Sequence, residues 1–435
     1  MAPTAASGDH RRVKSAAFLF ACGCAGAAPH WLDPARSLWP AISLALMLGG
    51  YGLRTVLQGE PSRRLPAGTP GDLPTLDVVV AARDEESVVT RLVERLTALR
   101  YPSGRLSTWV IDDGSLDRTP QLLDDLAATH ASLRVIHRPR DAGGGKSGAL
   151  NTALQQLRGE WLLVLDADAQ LQEDLLEHLI PYALDGGWSA VQLRKAVIDA
   201  DRNWLTRAQA MEMALDAVIQ QGRLSGGGVA ELRGNGQLIR RSVLEAAGGF
   251  NEDTVTDDLD LSFRLLTHGA LVGILWDPPV QEEAVPGLAA LWKQRQRWAE
   301  GGLQRFFDYW PTLTSGQLSL RQRWDLACFF LLQYGLPVVS FADLSTSLVT
   351  RTAPSYWPLS FVAFSVSGLA YWRGCRISSE GPPIPSAGPL QLLLAIFYLA
   401  HWFVVIPWVA LKMAVLPKRL VWAKTSHGEQ EPVQA

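Results

Sequence analysis

Hydrophobic positions divide this chain into three regimes. Two nearly unbroken apolar stretches come first, at residues 16–28 and 38–57. A middle region, residues 75–315, alternates short all-apolar runs with longer runs that are apolar at every third or fourth position. From residue 325 the chain turns apolar again, with candidate spans at 326–349, 357–372 and 390–416. In the middle region Leu76–Ala82 predicts a short buried strand. Residues 85–100 predict a helix with Val88, Val89, Leu92, Val93, Leu96 and Leu99 on one stripe. Further strands are expected at 108–111, 134–137, 161–165 and 190–193, and further helices at 117–129, 146–157 and 288–307. Repeated strand–helix units imply a Rossmann-like α/β domain, its mostly parallel sheet covered on both faces. Ligands of such sheets bind beyond the carboxyl ends of the strands.

The flanking regimes read as membrane structure. The run at 38–57 is about long enough to cross a bilayer. The run before it follows Arg11, Arg12 and Lys14, a layout that signal peptides share. As a pair, the two fit better a helical hairpin over residues 1–60 with its basic end in the cytosol. Residues 61–74 are rich in Pro, Gly and Arg and are expected to be a linker. Residues 316–435 form a C-terminal membrane region with a short tail. The stretch at 390–416 is long enough to tilt, or to divide into an interfacial piece and a span. Five spans with a cytosolic middle would leave Lys418, Arg419 and Lys424 outside, against the positive-inside bias. Either one segment lies in the interface or one is not a span.

Composition narrows the partners. A net charge of −3 with no long basic tract gives no reason to expect nucleic acid. No protein partner is inferred. Several of the 16 tryptophans sit in the apolar ends, where membrane interfaces favour them. Cys22, Cys24, Cys328 and Cys375 all lie outside the middle region, and Cys22-Gly-Cys24 lacks the two-residue spacer of a zinc or redox motif.

The middle region carries the candidate chemistry. Asp166 and Asp168 end an apolar strand two residues apart, so their carboxylates can leave the same side. Such a pair repels unless a cation or a proton intervenes, and Mg²⁺ bridging carboxylate and phosphate fits. Mn²⁺ is equally compatible. Asp112 and Asp113 end another strand and could accept hydrogen bonds from a nucleoside, although Asp-Gly also suits an ordinary turn. Gly143-Gly144-Gly145-Lys146 suggests a phosphate loop, but Arg140 stands where a nucleotide-triphosphatase motif needs glycine. Lys146 could still add charge beside a phosphate. Gly234-Asn235-Gly236 would give a backbone shelf for a substrate, or a simple hairpin turn. Thr256 suits a helix N-cap, with Asp257 and Asp258 in the first turn, where a carboxylate can also serve as a base. Gln294 and Arg297 share a helix face, and Arg297 suits a diphosphate. Trp298 could stack on a sugar, while Lys293 and Arg295 would face lipid headgroups.

Together, Val80-Ala81-Ala82-Arg83-Asp84-Glu85, Asp112-Asp113-Gly114, Asp166-Ala167-Asp168, Thr256-Asp257-Asp258 and Gln294-Arg295-Gln296-Arg297-Trp298 resemble the family 2 inverting glycosyltransferases of GT-A fold. Residues 143–151, 192–197, 203–207, 231–237 and 298–302 are similar to a cyanobacterial branch that moves glucose from UDP-glucose to diacylglycerol. The resemblance implies an integral membrane enzyme of a plasma or thylakoid membrane, with its catalytic domain in the cytosol. It implies that Asp112 and Asp113 hold the uridine, with Ala81, Arg83 and Glu85 lining the same pocket. Asp166 and Asp168 would hold the sugar diphosphate, Asp168 through the metal, with Lys146 adding to the donor site. Asp258 matches the base. Gln294, Arg297 and Trp298 would close over diphosphate and acceptor, with Gly234, Asn235, Gly236 and Asp257 on the acceptor side. Polysaccharide-forming relatives usually carry Glu where Asp257 stands. Two rival expectations share these motifs: a processive polysaccharide synthase, and a membrane protein that binds a nucleotide sugar without catalysis.

Overall fold

The computed structural model describes residues 10–32, 38–61, 73–314, 316–378, 380–385 and 388–417. Most of the expected linker, and Lys418, Arg419 and Lys424, lie outside these residues. In chain order, two helices, α1 (Arg11–Leu32) and α2 (Trp39–Gln58), precede the first strand. Then come β1 (Leu76–Ala82), α3 (Val89–Thr97), β2 (Leu106–Asp112), α4 (Thr119–Thr129), β3 (Leu133–His137), α5 (Gly145–Leu154), β4 (Trp161–Leu165), α6 (Leu175–Asp185) and β5 (Ala190–Val197). The domain ends with α7 (Trp204–Ser225), β6 (Gln237–Arg240), α8 (Arg241–Ala246), α9 (Asp257–Thr267), β7 (Val272–Glu282) and α10 (Leu288–Thr314).

The seven strands form one sheet in the order β3-β2-β1-β4-β6-β5-β7. It is mostly parallel, as expected, with β6 running antiparallel to both β4 and β5. All five residues of β4 are buried, as a strand covered on both faces requires. Each Leu or Val so buried stabilises the fold by about 1.5–3 kcal/mol. Two apolar layers result: α3 and α6 cover one face, and α5 with α9 cover the other.

Two elements differ from expectation for physical reasons. The helix expected from residue 85 starts only at Val89. Asp84 adopts φ 55°, and the N–H groups of Asp84 and Glu85 donate to the hydroxyls of Ser115 and Thr119. The loop after β1 is thereby tied to the loop after β2, which leaves Arg83 and Glu85 at the strand ends. Helix α7 was not expected at all, because polar residues such as Gln209, Glu212, Gln220 and Arg223 are buried along it and erase any amphipathic stripe. It is capped by Asn203, whose Oδ1 accepts from the N–H groups of Leu205 and Thr206. It packs against β5, α2 and α13 (Trp357–Ile377), between the sheet and the apolar helices.

Beyond α10 a helix runs from Leu320 to Thr350 as α11 (Leu320–Phe330), a π turn (Leu331–Gly335) and α12 (Leu336–Thr350). After α13 come α14 (Pro389–Leu399) and α15 (Trp402–Val415), so the stretch expected to tilt or divide is broken at Ala400 and His401. Among the described residues, four helices are long and apolar enough to cross a membrane: Arg11–Leu32, Trp39–Gln58, Leu320–Thr350 and Pro389–Val415. The short span expected at 357–372, which forms α13, is not among them.

Candidate active site

A cavity of about 690 Å³ opens at the carboxyl end of the sheet and reaches the apolar helices. Ala81, Arg83, Glu85, Lys146, Asp166, Asp168, Gly234, Asp257, Asp258, Gln294, Arg297 and Trp298 all line it. Strand ends supply Asp166 and Asp168, the start of α9 supplies Asp257 and Asp258, and α10 supplies the last three.

Four of the expected residues stand behind this wall instead. Asp113 is buried and held by Arg138 and by Arg83, whose Nη1 lies 3.4 Å away. Asp112 accepts from the Ser115 N–H at 3.0 Å and pairs with His137 at 3.1 Å. Asn235 is fully buried, and its Oδ1 accepts the Asp166 N–H at 3.1 Å. It therefore fixes the backbone of the acidic strand end rather than lining the cavity. At Gly236 φ is +75°, and a Cβ would press on Val280 and Leu193, so the turn packs into the core.

The charges at the polar end are strongly coupled. Lys146 Nζ donates to Asp166 Oδ1 at 2.5 Å. Burial works against the lysine's charge, but Asp166, Asp257 and Asp258 outweigh it and raise its pKa. Burial likewise opposes ionisation of Asp166, yet Lys146, Lys195 and Arg297 hold its carboxyl below the usual range. At Asp168 the pull of Lys195 is outweighed. Burial, then Asp166 and Glu282, push it up to about 8. Asp258 is pushed up to about 6 by burial and by Asp257, against the pull of the Leu259 N–H, Lys146 and Arg233.

These residues fit a divalent cation. The donors are hard oxygens, and the crowding that raises Asp168 is what a cation would relieve. Among the described residues no group of three or more His, Cys, Asp or Glu side chains forms a closed cage, so a phosphate would have to complete the coordination.

The other end of the cavity is apolar. Met213, Leu215 and Ile219 of α7, Phe329 of α11, Leu399 of α14 and Trp402 of α15 line it. Sequence reasoning missed these residues, as well as Lys195, Glu212, Arg233 and Glu282 in the wall. Two of them had a signal: Arg233 its place beside the Gly-Asn-Gly turn, and Lys195 its place in the segment 192–197. Arg295, expected among headgroups, is 1% exposed. Its Nη2 donates to Glu212 and to the Tyr398 hydroxyl, and its guanidinium lies 4.0 Å from the Trp298 ring centre. Thr256 makes no side-chain capping bond, and packs instead against Gly301 of α10.

A sheet of this order, with carboxylates gathered at its strand ends and an arginine-bearing helix across them, defines a glycosyltransferase of GT-A type. The description "Glycosyltransferase like family 2" matches residues 74–301, and the chain belongs to that family. The chain is 42% identical over 431 residues to the beta-monoglucosyldiacylglycerol synthase of Synechocystis sp., covering 97% of this chain and 89% of that protein. It is 40% identical over 390 residues to the synthase of the same name from Nostoc sp., covering 89% and 83%. Among solved structures it resembles the mannosyltransferase PcManGT from Pyrobaculum calidifontis in complex with GDP-Man and Mn²⁺. That match has a TM-score of 0.59 and 21% identity, and covers 86% of this chain and 98% of the other.

Proposed function

We propose that this chain transfers glucose from UDP-glucose to diacylglycerol with inversion, giving β-monoglucosyldiacylglycerol at a membrane surface. One observation carries the reading: a single cavity has an ionised end beyond the sheet and an apolar end lined by α7 and by two of the candidate membrane spans. A soluble acceptor needs no such apolar end, whereas an acceptor that stays in the bilayer does. The 40–42% identity to the cyanobacterial synthases supports the donor and the acceptor.

Asp258 accepts the proton of the free lipid hydroxyl as its oxygen attacks the anomeric carbon. The bond from that carbon to the UDP oxygen breaks on the opposite face, which sets the β configuration. A divalent cation, Mg²⁺ or Mn²⁺, held by Asp168 with Asp166 would stabilise the charge left on the diphosphate. Arg297 adds a planar cation on the same charge, and no hydrogen bond to the described residues occupies it. Lys146 holds Asp166 in place and contributes positive charge. Asn235 acts one step back, by fixing the Asp166 backbone.

Arg194 of β5 donates to the Glu380 carbonyl at 2.6 Å, so α13, packed against α2 and α7, would return the chain to its starting side. That is the cytosolic side if Arg11, Arg12 and Lys14 obey the positive-inside bias. The test is UDP release by purified protein in lipid vesicles. Release that depends on added diacylglycerol supports the reading, and release unaffected by it counts against.

A further inference from the structure

The reaction as drawn leaves one irregularity unused, the π turn at Leu331–Gly335 inside the helix from Leu320 to Thr350. A π turn widens the hydrogen-bonding step by one residue and often occurs at functional sites. This one lies in the cavity wall, to which it contributes Gln333 and Tyr334. Tyr334 packs against Phe306 of α10, and its hydroxyl occupies the place where a Cβ on Gly302 would be. The neighbouring Gly301 receives Thr256, the residue before Asp257 and Asp258. The two glycines of α10 therefore bring the π turn and the base-bearing loop onto the same short stretch of helix.

Gln333 is half-buried and brings a neutral amide to the apolar end. The other polar side chains there are committed. Glu212 accepts from Arg295, from the Tyr398 hydroxyl at 2.8 Å and from Trp402 Nε1 at 3.2 Å. The Ser367 hydroxyl donates to the Ala363 carbonyl at 2.9 Å. No hydrogen bond joins the Gln333 amide to a described residue. An ester-linked neutral lipid brings two carbonyl oxygens with its free hydroxyl, and a carbonyl buried without a donor is costly. A neutral amide can satisfy one without placing a charge in the apolar lobe.

We propose that Gln333 recognises the acceptor, its side-chain amide donating to an ester carbonyl of diacylglycerol, and that the π turn places it there. The inference rests on the proposed function and names a specificity residue for it.

The test compares kcat/KM for dioleoylglycerol and for its diether analogue, which has no carbonyls, in the full-length protein in vesicles. The wild type should favour the ester by about 3–10-fold, the worth of one such hydrogen bond. Gln333→Leu should bring the two lipids within about 2-fold of each other by removing that bond, with KM for UDP-glucose unchanged. Gln333→Met keeps the length and removes the donor, so it should abolish the ester preference too, even if the leucine variant fails to fold. An ester preference that survives in the methionine variant, equal losses on both lipids, or no ester preference in the wild type would each overturn the inference. If the wild type glucosylates neither lipid, the proposed function falls and takes this inference with it.

Discussion

Asp258 gives the sharpest quantitative expectation. Burial and Asp257 push its carboxyl up to about 6. A base must be ionised to accept a proton, so kcat/KM should follow its deprotonated fraction. Between about pH 7 and about pH 5 that fraction falls about tenfold for a group at about 6, but hardly changes for one at the ordinary value of 3.8. The two cases are easily separated by measuring UDP release in vesicles across this range, at saturating divalent cation. Asp257→Asn removes the second-largest cause of the upward shift, so it should move the acid limb to lower pH. The move should be smaller than the full shift, because burial is the larger cause. Asp258→Asn keeps the shape and loses the base, and should cost ~10²–10⁴-fold in kcat with the acid limb gone. A variant that keeps near wild-type activity, or the same bend near pH 6, would refute the assignment of Asp258 as base.

Three further outcomes are expected. Glu231 is fully buried among Arg305 at 3.0 Å, Arg233 at 3.3 Å and Arg223 at 3.5 Å, so Glu231→Gln should cost ~3–5 kcal/mol in unfolding measurements. Those arginines outweigh burial and hold its carboxyl at about 2, so its contribution is present above the ordinary value of 4.5 and lost as pH falls towards 2. Because Asp168 is pushed up to about 8, protons compete with the cation there, and the half-saturating Mn²⁺ concentration should rise up to about tenfold per pH unit below that value. A flat dependence would remove Asp168 from the metal site. Gly302→Ala drives a Cβ into the Tyr334 hydroxyl, and should lower kcat/KM for the lipid more than for UDP-glucose.

Much of the sheet was legible because β4 is a continuous apolar run, β1 is broken only by Asp77, and α3 carries a clean stripe. The rest was hidden for identifiable reasons. β6 has four residues and follows a turn, too short to register. β7 contains Pro278 and Pro279, which argue against a strand in a sheet interior; it tolerates them as the edge strand. The acidic strand end, the start of α9 and the arginine of α10 could be read as short motifs, and the fold brings them to one cavity. The apolar lobe could not, because its residues come from α7, α11, α14 and α15, and only the packing of those helices brings them together. Arg295 misled for a related reason: a basic residue on an interfacial-looking helix reads as exposed until Glu212 appears opposite it.

The central claim is the acceptor. The most direct measurement is the product formed by purified protein in vesicles with UDP-glucose, divalent cation and diacylglycerol, identified by chromatography and by NMR of its anomeric proton. A single glucosyl lipid with a β linkage is the predicted result. An α linkage, a polymer that stays out of the lipid phase, or no sugar on the lipid at all would contradict it.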